Sequence, residues 1–223
     1  MPAPRENSDS QPRLERGVFL LLGVSGSGKG SVGEWLLRRR EIVAHASMGQ
    51  WLRDAIAHPT DLEGQLPDLQ PLEFESSVSY LRHCVTNGLL IPDAWTEAVI
   101  ETQLERVPSG SWALDGYPRT PSAAAHLVRA LEARGIALLG AVELRISSNV
   151  MRERLLGRGR HDDTAAAIAR RLEFYEASVR PTLRWLREND VAVATMNAEA
   201  DLETVGSAVL EWLKTKKESQ QML

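Results

Sequence analysis

Short apolar runs alternate with longer amphipathic stretches along the chain, and this alternation sets the first expectation for the fold. Val18–Leu22 is apolar throughout and follows a polar segment, the pattern of a strand buried on both faces of a parallel sheet. Further apolar or β-branched runs stand at Ile42–Ala46, Trp112–Leu114, Leu138–Ile146 and Val191–Thr195. Between them, helical periodicity predicts helices over Ser31–Arg40, Trp51–Ala57, Ala94–Arg106, Ser122–Arg134, Asn149–Leu156 and Leu202–Lys214. The longest amphipathic pattern starts at Thr164 and sets Ile168, Leu172, Tyr175 and Val179 on one face, until Pro181 is expected to disturb it. The result is a βαβ succession: an α/β protein with about five parallel strands and helices on both sheet faces. No internal repeat interrupts it. Met1–Arg16 is polar and contains prolines, so residues 1–16 are expected to be a flexible tail and 17–223 a single domain. His58–Leu72 carries Pro59, Pro67, Pro71 and Gly64 among several acids and is expected to be an irregular, mobile excursion from the core.

Composition narrows the function classes. At 223 residues the chain suits one well-buried domain, and its 43% apolar and 25% charged residues argue against disorder throughout. No apolar run reaches the roughly 20 residues of a membrane span. A net charge of −4 provides no general basic field, so neither nucleic acid nor a membrane surface is an expected partner, and any phosphate binding must come from local clusters. The one cysteine, Cys84, has no internal disulfide partner, and the start of the chain lacks the apolar stretch of a secretion signal; both point to a reducing, cytoplasmic compartment. Only four lysines stand against 22 arginines, and Lys29 is the sole lysine before position 214. A lone interior lysine in so arginine-biased a chain asks for a reason.

Gly23-Val-Ser-Gly-Ser-Gly-Lys-Gly-Ser31 lies between the first strand and the first helix, the context that a phosphate-binding loop requires. Gly23, Gly26, Gly28 and Gly30 allow close backbone approach, so successive N–H groups, with Ser27 among them, can face phosphate oxygens at the positive end of the helix. Lys29 would then neutralise the outer phosphates. The bland alternative is a flexible strand-to-helix turn with a solvated lysine. The position that often carries a magnesium-ligating hydroxyl directly after the lysine is Gly30, and the hydroxyl comes one residue later, at Ser31.

The Gly-Lys-Gly-Ser ending of this loop, followed by Asp115-Gly-Tyr-Pro-Arg119-Thr, resembles the adenylate kinase family of nucleoside monophosphate kinases. Ser47-Met-Gly-Gln-Trp-Leu-Arg53 is similar to the family's Ser-Thr-Gly-Asp-x-Leu-Arg segment, and Leu90-Ile-Pro-Asp93 to its Leu-Val-Pro-Asp. Arg154-Leu-Leu-Gly-Arg158, Arg160-His-Asp-Asp163 and Arg171-Leu172 keep the family's order through the lid and the long helix. The resemblance spans roughly Val18 to Leu213. It implies a three-layer P-loop fold with a helical insert for the monophosphate at about 47–92 and a short lid at about 158–163. It also implies Mg²⁺-dependent, reversible transfer of the ATP γ-phosphoryl group to a nucleoside monophosphate, AMP first and CMP or UMP as alternatives, by a monomer.

By the same resemblance Lys29 holds the donor phosphates together with Gly23, Gly26, Ser27, Gly28, Gly30 and Ser31. Ser47, Arg53, Gly116 and Arg119 bind the acceptor, while Arg158, Arg160 and Arg171 surround the moving group. Arg154 lies against the donor base, and Asp115 orients waters of Mg²⁺. Arginine suits this work because its planar guanidinium holds two phosphate oxygens and stays charged. Three departures fall on recognition of the acceptor base. Met48 replaces a threonine, Gln50 an aspartate, and Ala123 stands where adenylate kinases carry a base-reading glutamine. The lid is minimal, with only Gly159 between Arg158 and Arg160.

Other residues receive plainer readings. Arg152, Arg170, Arg180 and Arg184 are read as solvated or salt-bridged surface residues, and Trp51 and Trp95 as packing residues. Asp162 and Asp163 are read as favourable charges at a helix N-terminus. His161 has no metal-ligand spacing, and one cysteine excludes a zinc cluster of the kind some lids carry. Two other functions compete with the kinase: a nucleotide-binding sensor that has lost turnover, and a P-loop kinase for a different small acceptor. The retained arginines argue against the first, and the Asp-Gly-Tyr-Pro-Arg segment against the second.

Overall fold

The computed structural model describes residues 16–58, 71, 73–160 and 163–221. In chain order the elements are β1 (Gly17–Leu22), α1 (Lys29–Arg38), β2 (Ala44–Ser47), α2 (Met48–Ala57), α3 (Ser77–Asn87), α4 (Asp93–Leu104), β3 (Ser111–Asp115), α5 (Pro121–Glu132), β4 (Ala137–Arg145), α6 (Ser148–Arg158), α7 (Ala165–Phe174), a π-helical turn (Tyr175–Val179), α8 (Arg180–Glu188), β5 (Val193–Asn197) and α9 (Leu202–Gln221). The strands form one parallel sheet in the order β2-β3-β1-β4-β5. This is the α/β architecture that the alternating pattern implies.

β1 shows why its run is apolar at every position. Val18, Leu20 and Leu22 enter the larger core, with Leu114, Leu127, Ile168 and Leu183, while Phe19 and Leu21 enter a second core closed by Val32, Trp35 and Leu36 of α1 and Val205, Val209 and Leu213 of α9. A strand at the centre of a three-layer sandwich has no solvent face. The second core is pinned at its edge, where Trp35 Nε1 and Arg39 both donate to Glu203, at 3.0 and 2.6 Å.

Several expectations are corrected. β2 begins at Ala44 rather than Ile42, and β5 runs Val193–Asn197 rather than 191–195. Arg16, assigned to the tail, already belongs to the sheet margin, since its carbonyl accepts from Ala137 N at 2.9 Å. Helix α3 is not among the helices that the periodicity predicts. The sequence sign of it is its start, where the Ser76 side chain accepts from Ser79 N and the Ser79 hydroxyl accepts from Ser76 N, a capping box built from two serines. Pro181 disturbs the long helix as expected, without ending it: a π-helical turn over Tyr175–Val179 precedes the proline, and the helix resumes as α8 from Arg180. The remaining tail and excursion expectations fall on residues 1–15, 59–70 and 72, outside the described residues. No helix among the described residues is long and apolar enough to cross a membrane.

Candidate active site

A cleft of about 940 Å³ opens along the C-terminal ends of the strands, where ligands of open parallel sheets bind. The glycine loop forms one wall. Gly23, Gly26 and Gly28 have φ of +141°, +80° and +94°, and Gly28 is the N-cap of α1. With glycine there, α1 has no side-chain cap, and its first turn holds no acidic residue, so its leading N–H groups stay open to an anion. At Gly23 both conformation and space forbid a side chain, because a Cβ would stand 2.4 Å from Leu144 O. Gly23→Ala is therefore expected to cut ATP affinity at least about tenfold and to lower the melting temperature, through strain of about 1–3 kcal/mol. Calorimetric titration with ATP alongside thermal unfolding checks both effects.

Lys29 Nζ donates to the carbonyls of Gly23 and Val24, each at 3.0 Å, and lies 3.5 Å from Ser27 Oγ. The ammonium thus spans its own loop. Burial draws its pKa below the ordinary 10.5, Asp115 opposes that, and Arg119 and Arg158 add to it. Arg119 donates from Nε to Gly116 O at 2.9 Å, and its guanidinium stands 6.0 Å from the centre of the Phe174 ring. Burial pulls its pKa down as well, Asp115 again opposes, and Arg171 and Arg53 press the same way as burial. These mutual influences describe a cationic focus assembled from α1, α2, the end of β3, α6 and α7, with the Asp115 carboxylate beside Lys29 and Arg119.

The other candidate residues line the same cleft. Ser47 pairs in register with Asp115 across the sheet. Arg53 lies over Gly49, where a Cβ would approach Nη1 to 3.3 Å, and its Nη2 donates to Gln50 Oε1 at 2.8 Å. Gln50 in turn donates to Asp54 at 2.7 Å, so the amide in place of an aspartate works as a relay holding Arg53. Arg154 reaches Gly26 O at 3.5 Å and Glu199 O at 3.4 Å, bridging the loop and the segment after β5. Gly30, Ser31, Gly116 and the exposed Arg160 complete the lining.

Three features escaped the sequence. Asp163 does not serve as the helix-end charge expected of it. Thr164 is the N-cap of α7, and the Asp163 carboxylate instead accepts from Arg158 Nε and Nη2 at 2.9 and 2.7 Å and from Arg171 Nη1 at 2.7 Å. Its side chain is 2% exposed. Burial works against its charge, yet the hydrogen bonds and charges of both arginines hold its pKa below 3.8. The only sequence sign of this is an acid set among arginines. Arg170, read as a surface residue, donates to Asn87 O at 2.7 Å and so ties the C-terminus of α3 to α7. Glu143, buried on β4, accepts from the hydroxyls of Tyr175 and Thr195 and pairs with Arg145. Burial resists its charge, but these partners keep its pKa below the ordinary value; Tyr175, through burial and the Glu143 charge, is pushed up to about 12. Tyr175 belongs to the π-helical turn and lines the cleft, so Glu143 fixes that turn against the sheet.

His161 and Asp162 lie outside the described residues, and among those described no group of three acids, histidines or cysteines could hold a metal by itself.

A glycine loop at a strand-to-helix turn, its lysine, and arginines from distant helices gathered in one cleft define a P-loop phosphotransferase. Comparison with known proteins agrees. A family model for adenylate kinase matches residues 73–191. The adenylate kinase of Parasynechococcus marenigrum (strain WH8102) is 33% identical over 87% of this chain and 97% of its own length. Adenylate kinase 1 of Nostoc sp. (strain PCC 7120) is 33% identical over 84% and 93%, and the adenylate kinase of Mycobacterium sp. (strain MCS) 31% over 87% and 98%. The chain belongs to the adenylate kinase family.

Proposed function

We propose that this phosphotransferase moves the γ-phosphoryl group of ATP, carried with Mg²⁺, reversibly to a nucleoside monophosphate, AMP foremost with CMP and UMP as alternatives, giving two diphosphates. The observation that carries the reading is the gathering of Lys29, Arg53, Arg119, Arg158 and Arg171 in one cleft, with Asp115 beside Lys29 and Arg119. Phosphoryl transfer between nucleotides gathers negative charge at one point, and catalysis consists mostly of positioning and electrostatic stabilisation. Lys29 and the loop N–H groups would hold the donor phosphates, Arg53 and Arg119 the acceptor phosphate, and Arg158, Arg160 and Arg171 the group in transit. Arg154 would flank the donor base. The insert at about 47–92 and the lid at about 158–163 would close over the nucleotides and exclude water. The names of the relatives support AMP as acceptor.

Magnesium fits the residues present in one way. Asp115 is 7% exposed and accepts no hydrogen bond among the described residues, so its oxygens remain available to water held by a metal that arrives with the nucleotide. The metal would supply charge neutralisation between the phosphates.

The acceptor side supports relaxed base selection. Ala123 is 1% exposed and does not line the cleft, so that position is lost as a reader by location as well as by chemistry. Tyr117 donates to Ala123 O, Thr96 to Asp93 O and Thr120 to the Asp93 carboxylate, while Met48, Leu52, Leu90 and Ile91 supply an apolar wall. Diphosphate formation from ATP and Mg²⁺ with AMP, CMP, UMP and GMP tests the reading. The expected result is turnover with AMP leading and the kcat/KM values of the pyrimidine monophosphates within about 100-fold of it, the discrimination that apolar contact supplies. A ratio above about 10⁴ would show a dedicated polar reader, and no turnover with any acceptor would end the kinase reading.

A further inference from the structure

A buried histidine, His45, lines the cleft beside Asp115. His45 lies on β2 opposite Ala113, two residues before Ser47, which pairs with Asp115, so the imidazole projects from the same face of the sheet as the Asp115 carboxylate. The side chains of the pair are 9% and 10% exposed. The ring sits in a notch that α1 opens for it, because a Cβ at Gly33 would fall 2.4 Å from His45 Cδ2 and 2.5 Å from Nε2. An aromatic ring seated against a glycine is held in one orientation. His45 Nε2 is buried without a hydrogen-bond partner among the described residues. Asp115 Oδ2 stands 3.7 Å from it, just beyond hydrogen-bond length. Leaving such a nitrogen unpaired costs about 1–3 kcal/mol, so a histidine that served only to fill the core would be poorly chosen here.

We propose that His45 is a positioning residue for the metal-facing end of the cleft. With its proton on Nε2 it directs Asp115 by donating to Oδ2, directly after a small closing movement or through one water. The carboxylate is thereby left with a defined oxygen for the water shell of a nucleotide-bound Mg²⁺. Metal sites commonly depend on such outer partners to orient the groups that touch the metal or its waters. Gly33 belongs to the same device, since no other residue leaves room for the ring. The inference rests on the reading of Asp115 as the carboxylate that faces Mg²⁺.

The test compares His45→Leu, which removes the donor, with His45→Gln, whose amide nitrogen reaches about as far as Nε2. ATP binding is measured calorimetrically with and without Mg²⁺, and turnover is measured against Mg²⁺ concentration. His45→Leu is expected to raise the Mg²⁺ concentration for half-maximal activity about tenfold. It is also expected to reduce the gain in ATP affinity that Mg²⁺ confers, while metal-free ATP binding stays within about twofold; His45→Gln recovers most of both effects. Equal behaviour of the two variants, or a loss of ATP binding that is the same with and without Mg²⁺, would show a purely structural histidine and overturn the proposal. If the leucine variant does not fold, His45→Asn, whose amide falls short of Asp115, replaces it. The binding readout needs no turnover. An enzyme that binds ATP in this metal-dependent way but phosphorylates no monophosphate would overturn the kinase reading and leave the role of His45 standing.

Discussion

Lys29→Ala is expected to lower kcat by on the order of 10³, about 4 kcal/mol of transition-state stabilisation. Two losses combine in that figure. The ammonium is the one lysine charge in the phosphate loop, and Arg119 and Arg158 lie close enough to influence it, so its removal weakens the cationic focus where charge develops in the transferred group. The same ammonium also bridges the Gly23 and Val24 carbonyls at 3.0 Å each, holding the loop in shape before any phosphate arrives. Lys29→Arg should recover little, because a planar guanidinium does not reproduce a compact donor seated between two carbonyls. Steady-state kinetics with saturating ATP separates the two roles. A loss confined to KM would mean that Lys29 contributes binding alone, and a change below tenfold in kcat would remove it from the transfer step.

Asp163→Asn should have the largest effect on stability, a loss of about 3 kcal/mol at pH 7. The carboxylate accepts three hydrogen bonds from Arg158 and Arg171 while its side chain is only 2% exposed, so the neutral amide leaves two guanidinium groups beside a partner that no longer balances them. Because the folded protein holds the Asp163 pKa below the ordinary 3.8, the pair stabilises the fold fully above that value, and the stabilisation disappears as pH falls from there through the folded-state pKa. Urea unfolding of the two proteins from pH 7 downward should show a gap that is constant to about pH 5 and then closes. A gap that does not narrow in acid would assign the loss to packing instead of charge. Turnover should fall too, by about tenfold, since Arg158 and Arg171 line the cleft and lose their common anchor.

Both predictions join parts that differ in how legible they are from the chain alone. The strand-helix alternation, the glycine loop and its lysine could be read directly, because each is written locally: a strand buried on both faces is apolar at every position, and a loop that approaches phosphate needs glycines at fixed spacing. Family motifs carried the arginines the same way, and the structure places Arg53, Arg119, Arg154, Arg158, Arg160 and Arg171 along one cleft. Helix α3 is hard to read because its capping box uses serine where glutamate is the usual sign, and Pro181 marks a disturbance of the long helix without showing that it takes the form of a π-helical turn.

What the sequence determined by itself is therefore the α/β class, the succession of the five strands and the identity of the phosphate loop, all set by periodicity and spacing within a few residues. Only the tertiary structure decided that Asp163 binds two arginines, that Glu143 anchors Tyr175 across 32 positions of chain, that Ala123 is buried away from the lining of the cleft and that His45 points at Asp115 over Gly33. Those outcomes depend on which strands lie side by side and on how each helix is rotated against the sheet, and such long-range packing leaves no spacing rule in the chain from which a partner could be read.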